Sequence, residues 1–233
     1  MDAVRGIGFD LDHTLAIDNK LERVAFLRLL EAVLAEGGGT QGTLGDEIDA
    51  IDELLTRQRH GEFSIDDAVR RFVLAHGLEP TQTHVEWFRR TAVGMVDDFV
   101  VPLPGVGRTL DALRQRGITV AILTNGWNPM QQRKAQRAGF AGPVLVSDQI
   151  GVQKPAPRSF ELLLRALGTA PEASWYVGDD PRSDVAGAQA AGLAAVWIDW
   201  EKRTYPAELP RPAHAIRNFG DLLEILPATV RAS

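Results

Sequence analysis

Asp10 and Asp12 stand two residues apart in the stretch Phe9-Asp10-Leu11-Asp12-His13-Thr14-Leu15, directly after a run of apolar residues. A second acidic pair, Asp179 and Asp184, follows another apolar run. Two unit negative charges about 4 Å apart repel by about 4 kcal/mol at an effective dielectric of about 20. Four acids gathered in one pocket therefore need a cation, a shared proton, or both. Taken singly, each pair reads equally as a cap on a turn or a helix start; on separate strands of one sheet, they read as a site. The chain has no cysteine and no cluster of histidines, so a hard, oxygen-ligated ion such as Mg2+ is the expected partner.

Two further elements offer positive potential. Thr124-Asn125-Gly126 places a hydroxyl and a glycine turn at the end of an apolar run, where backbone N–H groups can face an anion; it serves equally as an ordinary turn. Lys154 is one of four lysines, with Lys20, Lys134 and Lys202, among 25 basic residues. A sequence this rich in arginine that sets lysine before Pro155 calls for a compact point charge there. A positive charge at a helix start is unfavourable unless an anion faces it, although a solvated lysine is the alternative.

The elements that must position these residues follow from hydrophobic patterning. Continuous apolar runs at residues 4–10, 118–124, 144–147, 175–179 and 194–198 fit strands buried on both faces of a parallel sheet. Helical stripes separate most of them. Val106, Leu110 and Leu113 share one face ahead of Gly117. Asn128 and Pro129 read as N-cap and first residue of a helix that ends near Gly139. Phe160, Leu163, Leu164 and Leu167 form a third stripe, opened by Pro155 or Pro157 and closed by Gly168. Such alternation builds βαβ units, an α/β core whose ligands sit beyond the carboxyl ends of the strands. Asp10, Thr124, Ser147-Asp148 and Asp179 all lie at those ends.

Residues 17–98 carry no strand signal and read as an insert of about four helices. Phe26, Leu29, Leu30 and Val33 make one face, stopped at Gly37-Gly38-Gly39; Ile48, Ile51 and Leu55 make another. Ser64 with Asp67 reads as a capping box, and Val85, Phe88, Ala92 and Met95 make a fourth face. The expected division is thus residues 1–16 and 99–233 for the core and 17–98 for the insert.

Composition narrows the function. The balance is −6, with 45% hydrophobic and 24% charged residues, and the isoelectric point is near 5.4. A mildly acidic chain without a basic stripe suits neither DNA nor RNA. No apolar run approaches the roughly 18 residues a membrane span needs. Asp2, Arg5, Asp10 and Asp12 interrupt the start where a secretory signal would be apolar, so a cytoplasmic location is expected. There is no Gly-x-Ser-x-Gly elbow and no Gly-Lys dipeptide for a phosphate-binding P-loop. Gly105-Val106-Gly107 meets Leu110 in place of a third glycine. His60, His76 and His84 lack metal-ligand spacing.

In order, FDLDHTL, LTNG, the lysine of VQKPAP and VGDDPRSD resemble the signature of the haloacid dehalogenase-like superfamily, and the insert resembles that family's helical cap. The resemblance implies a Rossmann-like parallel sheet with helices on both faces and a Mg2+-dependent phosphatase acting on a small organic phosphate, such as a nucleotide or sugar phosphate. It implies Asp10 as nucleophile and Asp12 as acid and base. Thr124, Asn125 and Lys154 would hold the phosphoryl group, and Asp10, Asp12 (through its carbonyl), Asp179 and Asp184 would serve the metal. Thr14 would fix the loop after the nucleophile; His13 and Asp180 receive no role. The TNG form resembles the branch containing nucleotide and acylneuraminate phosphatases. Phosphomutase or dehalogenase chemistry, or a catalytically silent phospho-ligand-binding module, are the alternatives; Asp12 and Asp179 count against dehalogenation, which needs neither. Substrate choice would fall to insert residues such as Arg57, Arg59, His60 and Trp87, with Trp127 either lining the pocket or packing. A monomer or homodimer is expected.

Overall fold

The computed structural model describes residues 3–227; Asp2 and the last part of the expected core segment, 228–233, lie outside them. The chain divides into two compact units, Asp18–Phe99 and the remainder. Among the described residues no helix is long and apolar enough to cross a membrane.

The larger unit is built on a six-stranded sheet. Its strands are β1 (Gly6–Phe9), β4 (Thr119–Thr124), β5 (Val144–Val146), β6 (Ser174–Gly178), β7 (Ala194–Ile198) and β8 (His214–Ile216), in the order β5-β4-β1-β6-β7-β8. All pairings are parallel, as continuous apolar runs require. β1 is buried throughout and sits between β4 and β6, with Phe9 opposite Ile122 on one side and Val177 on the other. A Cβ at Gly8 would collide with Leu163 and lie 2.8 Å from the Tyr176 ring, so glycine there lets a helix sit close on the sheet. That helix is α9 (Pro157–Leu167), which buries Phe160, Leu163 and Leu167 and ends at Gly168 in the left-handed region. Alternation turns Ile7 and Phe9 to the opposite face, where Phe9 meets Phe219 at 5.6 Å between ring centroids. Helix α6 (Val106–Gln115) buries Val106, Leu110 and Leu113.

Four local expectations change. Asn128 is not the N-cap: the cap position of α7 (Met130–Arg137) falls one residue later, on Pro129, with no side-chain cap hydrogen bond, and the Asn128 N–H donates to Asp148 Oδ2 at 2.7 Å. Ser147 opens the short helix α8 (Ser147–Ile150) and does not end a strand. β8 was missed, being only His-Ala-Ile with one fully buried residue. So was the antiparallel pair β2 (Ala16–Ile17) and β3 (Val101–Pro102), two residues each, where the insert leaves and returns. After β6 the chain winds through a wide helical turn, Pro181–Ala186, into α10 (Gly187–Ala190), and a final short helix, α11, covers Leu222–Ile225.

The smaller unit contains α1 (Leu21–Ala35), α2 (Leu44–Arg59), α3 (Ile65–Ala75), α4 (Gln82–Gly94) and the short α5 (Val96–Phe99). Ser64 and Asp67 form the expected capping box, and Thr43 and Asp46 form a second. Phe26 lies 4.5 Å from Phe88 and 5.2 Å from Phe72 between ring centroids, joining α1, α3 and α4. A buried His76–Glu47 pair, 2.9 Å apart, ties the end of α3 to α2, and Arg23 pairs with Asp52 to tie α1 to α2.

Candidate active site

Parallel pairing sets the first two acids side by side. Asp10 follows β1 directly, its N–H donating to Val177 O at 2.9 Å, and Asp179 follows Gly178, the last residue of the neighbouring β6. Asp184 comes from the wide turn after β6. A Cβ on Gly178 would collide with the Asp184 carboxylate, so only glycine leaves that side chain its place. Lys154 enters from the loop before α9. One oxygen from each of Asp10, Asp179 and Asp184 lies within 4.8 Å of the others.

Lys154 is 5% exposed, and three acceptors meet its ammonium: Asp10 Oδ1 at 2.6 Å, Asp184 Oδ1 at 2.7 Å and the Tyr176 hydroxyl at 3.0 Å. Tyr176 donates its own proton to Leu123 O at 2.8 Å, which leaves its lone pair for the lysine. Asp184 Oδ2 accepts the Asp180 N–H at 3.0 Å. Every donor of the buried ammonium is matched, as burial of a charge demands.

Electrostatics show what the protein alone leaves uncompensated. Burial, opposed by Lys154 and reinforced by Asp184, pushes the Asp10 carboxyl up to about 7. Burial, with Asp184 and Asp10 beside it, pushes Asp179 up to about 8 against the pull of Arg203. Burial draws the Lys154 ammonium down, yet Asp10 and Asp184 carry it well above its ordinary value. Lys154, with Arg203 Nη2 at 3.3 Å from Asp179 Oδ2, sets two cations against three acids. The donor set is oxygen only and hard, which fits a small divalent cation such as Mg2+ and does not suit metals that seek sulfur or imidazole.

On the anion side, Asn125 Nδ2 donates to Lys154 O at 3.0 Å and Asn125 Oδ1 accepts the Lys154 N–H at 2.9 Å. Its side chain thus fixes the backbone that carries the lysine. The Gly126 N–H donates to Ser147 Oγ at 3.0 Å. Thr124 is buried, and its Oγ1 accepts from Gln131 Nε2 at 2.8 Å. Its own proton is donated to Asn125 O at 3.3 Å.

Asp12 stands apart from the acidic cluster. Lys134 Nζ donates to its Oδ1 at 2.9 Å and Gln131 Nε2 to its Oδ2 at 2.7 Å. Both residues belong to α7 and were missed as site residues, although the scarcity of lysine that marks Lys154 marks Lys134 as well. Also missed were Tyr176 and the pair that holds Asp179 O, Trp197 Nε1 and Arg203 Nη2, each at 2.9 Å; nothing in their spacing distinguished them from core and surface residues. Thr14 is fully buried and its Oγ1 has no hydrogen-bond partner among the described residues. The loop after Asp10 is closed by the Leu11 carbonyl, which accepts from Thr14, Leu15 and Ala16. Asp180 Oδ1 caps the following turn through Arg182 and Ser183, and Trp127 is 3% exposed and packs. Arg57, Arg59, His60 and Trp87 lie in the helical unit, where Arg57 pairs with Glu62 at 2.8 Å.

A parallel sheet that gathers three carboxylates and a buried ammonium at its carboxyl edge defines an α/β enzyme core made for a cation and an anion together. The chain belongs to the haloacid dehalogenase-like hydrolase family, whose model matches residues 4–192. It is 30% identical over 210 residues to a glyceraldehyde 3-phosphate phosphatase of Pyrococcus furiosus, covering 87% of this chain and 83% of that one. With a phosphoserine phosphatase of Thermus thermophilus it shares 43% identity over 118 residues; the match spans 49% of this chain and 46%, under half, of that protein. Its fold resembles that of the Bacillus subtilis HAD-hydrolase YfnB, solved with magnesium, at a TM-score of 0.73 and 22% identity over 97% of this chain and 100% of that one. At that identity the likeness speaks for the fold alone.

Proposed function

We propose that the protein is a Mg2+-dependent phosphomonoester hydrolase acting on a small organic phosphate through an aspartyl-phosphate. The observation that carries this reading is the Asp10 carboxylate held 2.6 Å from Lys154 Nζ within a cluster of three acids. Asp10, Asp179, the Asp12 carbonyl and Asp184 would hold Mg2+ or its waters, and the ion would supply the positive charge that keeps Asp10 ionised and shields the phosphoryl oxygens.

Asp10 attacks phosphorus as the ester P–O bond breaks, and Asp12 gives a proton to the departing oxygen. Water then attacks the aspartyl-phosphate, losing its proton to Asp12, and releases inorganic phosphate with Asp10 restored. Lys154 and the Thr124 hydroxyl neutralise and orient the phosphoryl oxygens, and positioning with charge is most of what phosphoryl transfer requires. Two relatives named as phosphatases of small phosphate esters support the substrate class. The helical unit is assigned the role of cap, selecting among esters. A panel of phosphorylated metabolites with Mg2+ tests the reading: wild type releases phosphate from at least one member and Asp10→Asn from none. Silence of the wild type across the panel would overturn it.

A further inference from the structure

Resting on the phosphatase reading, we propose that Lys134 and Gln131 of α7 are positioning residues that aim Asp12. Lys134 Nζ donates to Asp12 Oδ1 at 2.9 Å and Gln131 Nε2 to Oδ2 at 2.7 Å. A carboxylate gripped at one oxygen can swing about its last bond; gripped at both from one helix, it cannot. The Asp12 side chain is nevertheless 31% exposed, so the carboxylate stays accessible while held at both oxygens.

Both anchors are themselves fixed. The Lys134 side chain is 3% exposed, an expensive place for an ammonium unless an acid is matched to it. Gln131 is 2% exposed, and its Nε2 also reaches Thr124 Oγ1 at 2.8 Å and Asn125 O at 3.3 Å. One carboxamide therefore bridges the Asp12 acid and the Thr124 hydroxyl. Gly126 makes this reach available: a Cβ there would stand 2.8 Å from Gln131 Cγ. Residues 131 and 134 share a helix face, being one turn apart, so α7 delivers both donors to the acid as a rigid unit. A misaimed acid costs most where the leaving oxygen depends on receiving a proton.

The test compares two esters. β-Glycerophosphate leaves as a strongly basic alkoxide and needs its proton; para-nitrophenyl phosphate leaves as a stable phenolate and scarcely does. Lys134→Met, which keeps the buried stem, is expected to lower kcat on β-glycerophosphate about 10²-fold and on para-nitrophenyl phosphate less than about tenfold, with KM nearly unchanged. In an Asp12→Asn background the same substitution is expected to add less than about twofold, because two residues acting through one group are not additive. Lys134→Arg is expected to recover part of the β-glycerophosphate rate. Where Lys134→Met does not fold, judged by its thermal melt, Lys134→Gln carries the same comparison. Equal losses on both esters, or a full extra loss in the Asp12→Asn background, would overturn the positioning role while the phosphatase reading stands. A wild type that hydrolyses neither these esters nor any member of the metabolite panel would overturn both.

Discussion

Asp10 and Asp179 carry the sharpest consequence at the scale of single residues. Both carboxyls are raised, to about 7 and about 8, by burial first and neighbouring acids next. Without a divalent ion the folded state keeps protons between the ordinary carboxylate range and pH 7–8 that the unfolded chain has given up. Native binds more, so the stability these two groups contribute falls as pH rises through that window. A cation at the cluster reverses this by favouring the charged forms. Mg2+ is therefore expected to raise the melting temperature more at pH 8 than at pH 6, and to release protons on binding, measurable by calorimetry in buffers of different ionisation enthalpy. An equal effect at both pH values would count against Mg2+ at this cluster. Asp10 and Asp179 were legible because charged residues closing apolar runs are conspicuous, and Lys154 because lysine is scarce in this chain. Scarcity marks Lys134 too, but a helix surface shows nothing of which strand end its side chains, or those of Gln131, meet.

Among the elements, the wide turn Pro181–Ala186 after β6 is where backbone and chemistry meet most tightly. It returns Asp184 over Gly178, and Asp184 is fixed from both sides by Lys154 and the Asp180 N–H. The methyl of Gly178→Ala has nowhere to go, so that variant is expected to lose about 1–3 kcal/mol of stability by overpacking and most of its Mg2+-dependent stabilisation. Thermal melts with and without Mg2+ check this; a variant matching wild type in both would show that the turn yields. The five short apolar runs and the α9 stripe were readable because burial on both faces leaves a continuous signature. His214–Ile216, as short as Val144–Val146, opens on a histidine and exposes its alanine, so it breaks the continuous apolar pattern. Asn128-Pro129 set the start of α7 one residue early, because a cap pattern marks a helix start only to within a residue or two.

For the whole molecule, the order of four short segments announced an α/β core with an inserted helical unit, and the family assignment over residues 4–192 agrees. The fold does not choose between ester hydrolysis and its alternatives, for a shared scaffold hosts several chemistries. Whether Asp10 takes the phosphoryl group separates phosphoryl transfer from dehalogenation and from a silent module, and release of inorganic phosphate separates a hydrolase from a mutase. Acid-quenching the enzyme during turnover of an accepted phosphate ester with Mg2+, then mapping peptides by mass spectrometry, reads the first directly. The expected result is a phosphoryl adduct on the peptide bearing Asp10, lost when hydroxylamine cleaves acyl phosphates. Continued phosphate release by Asp10→Asn, with no adduct in the wild type, would contradict it.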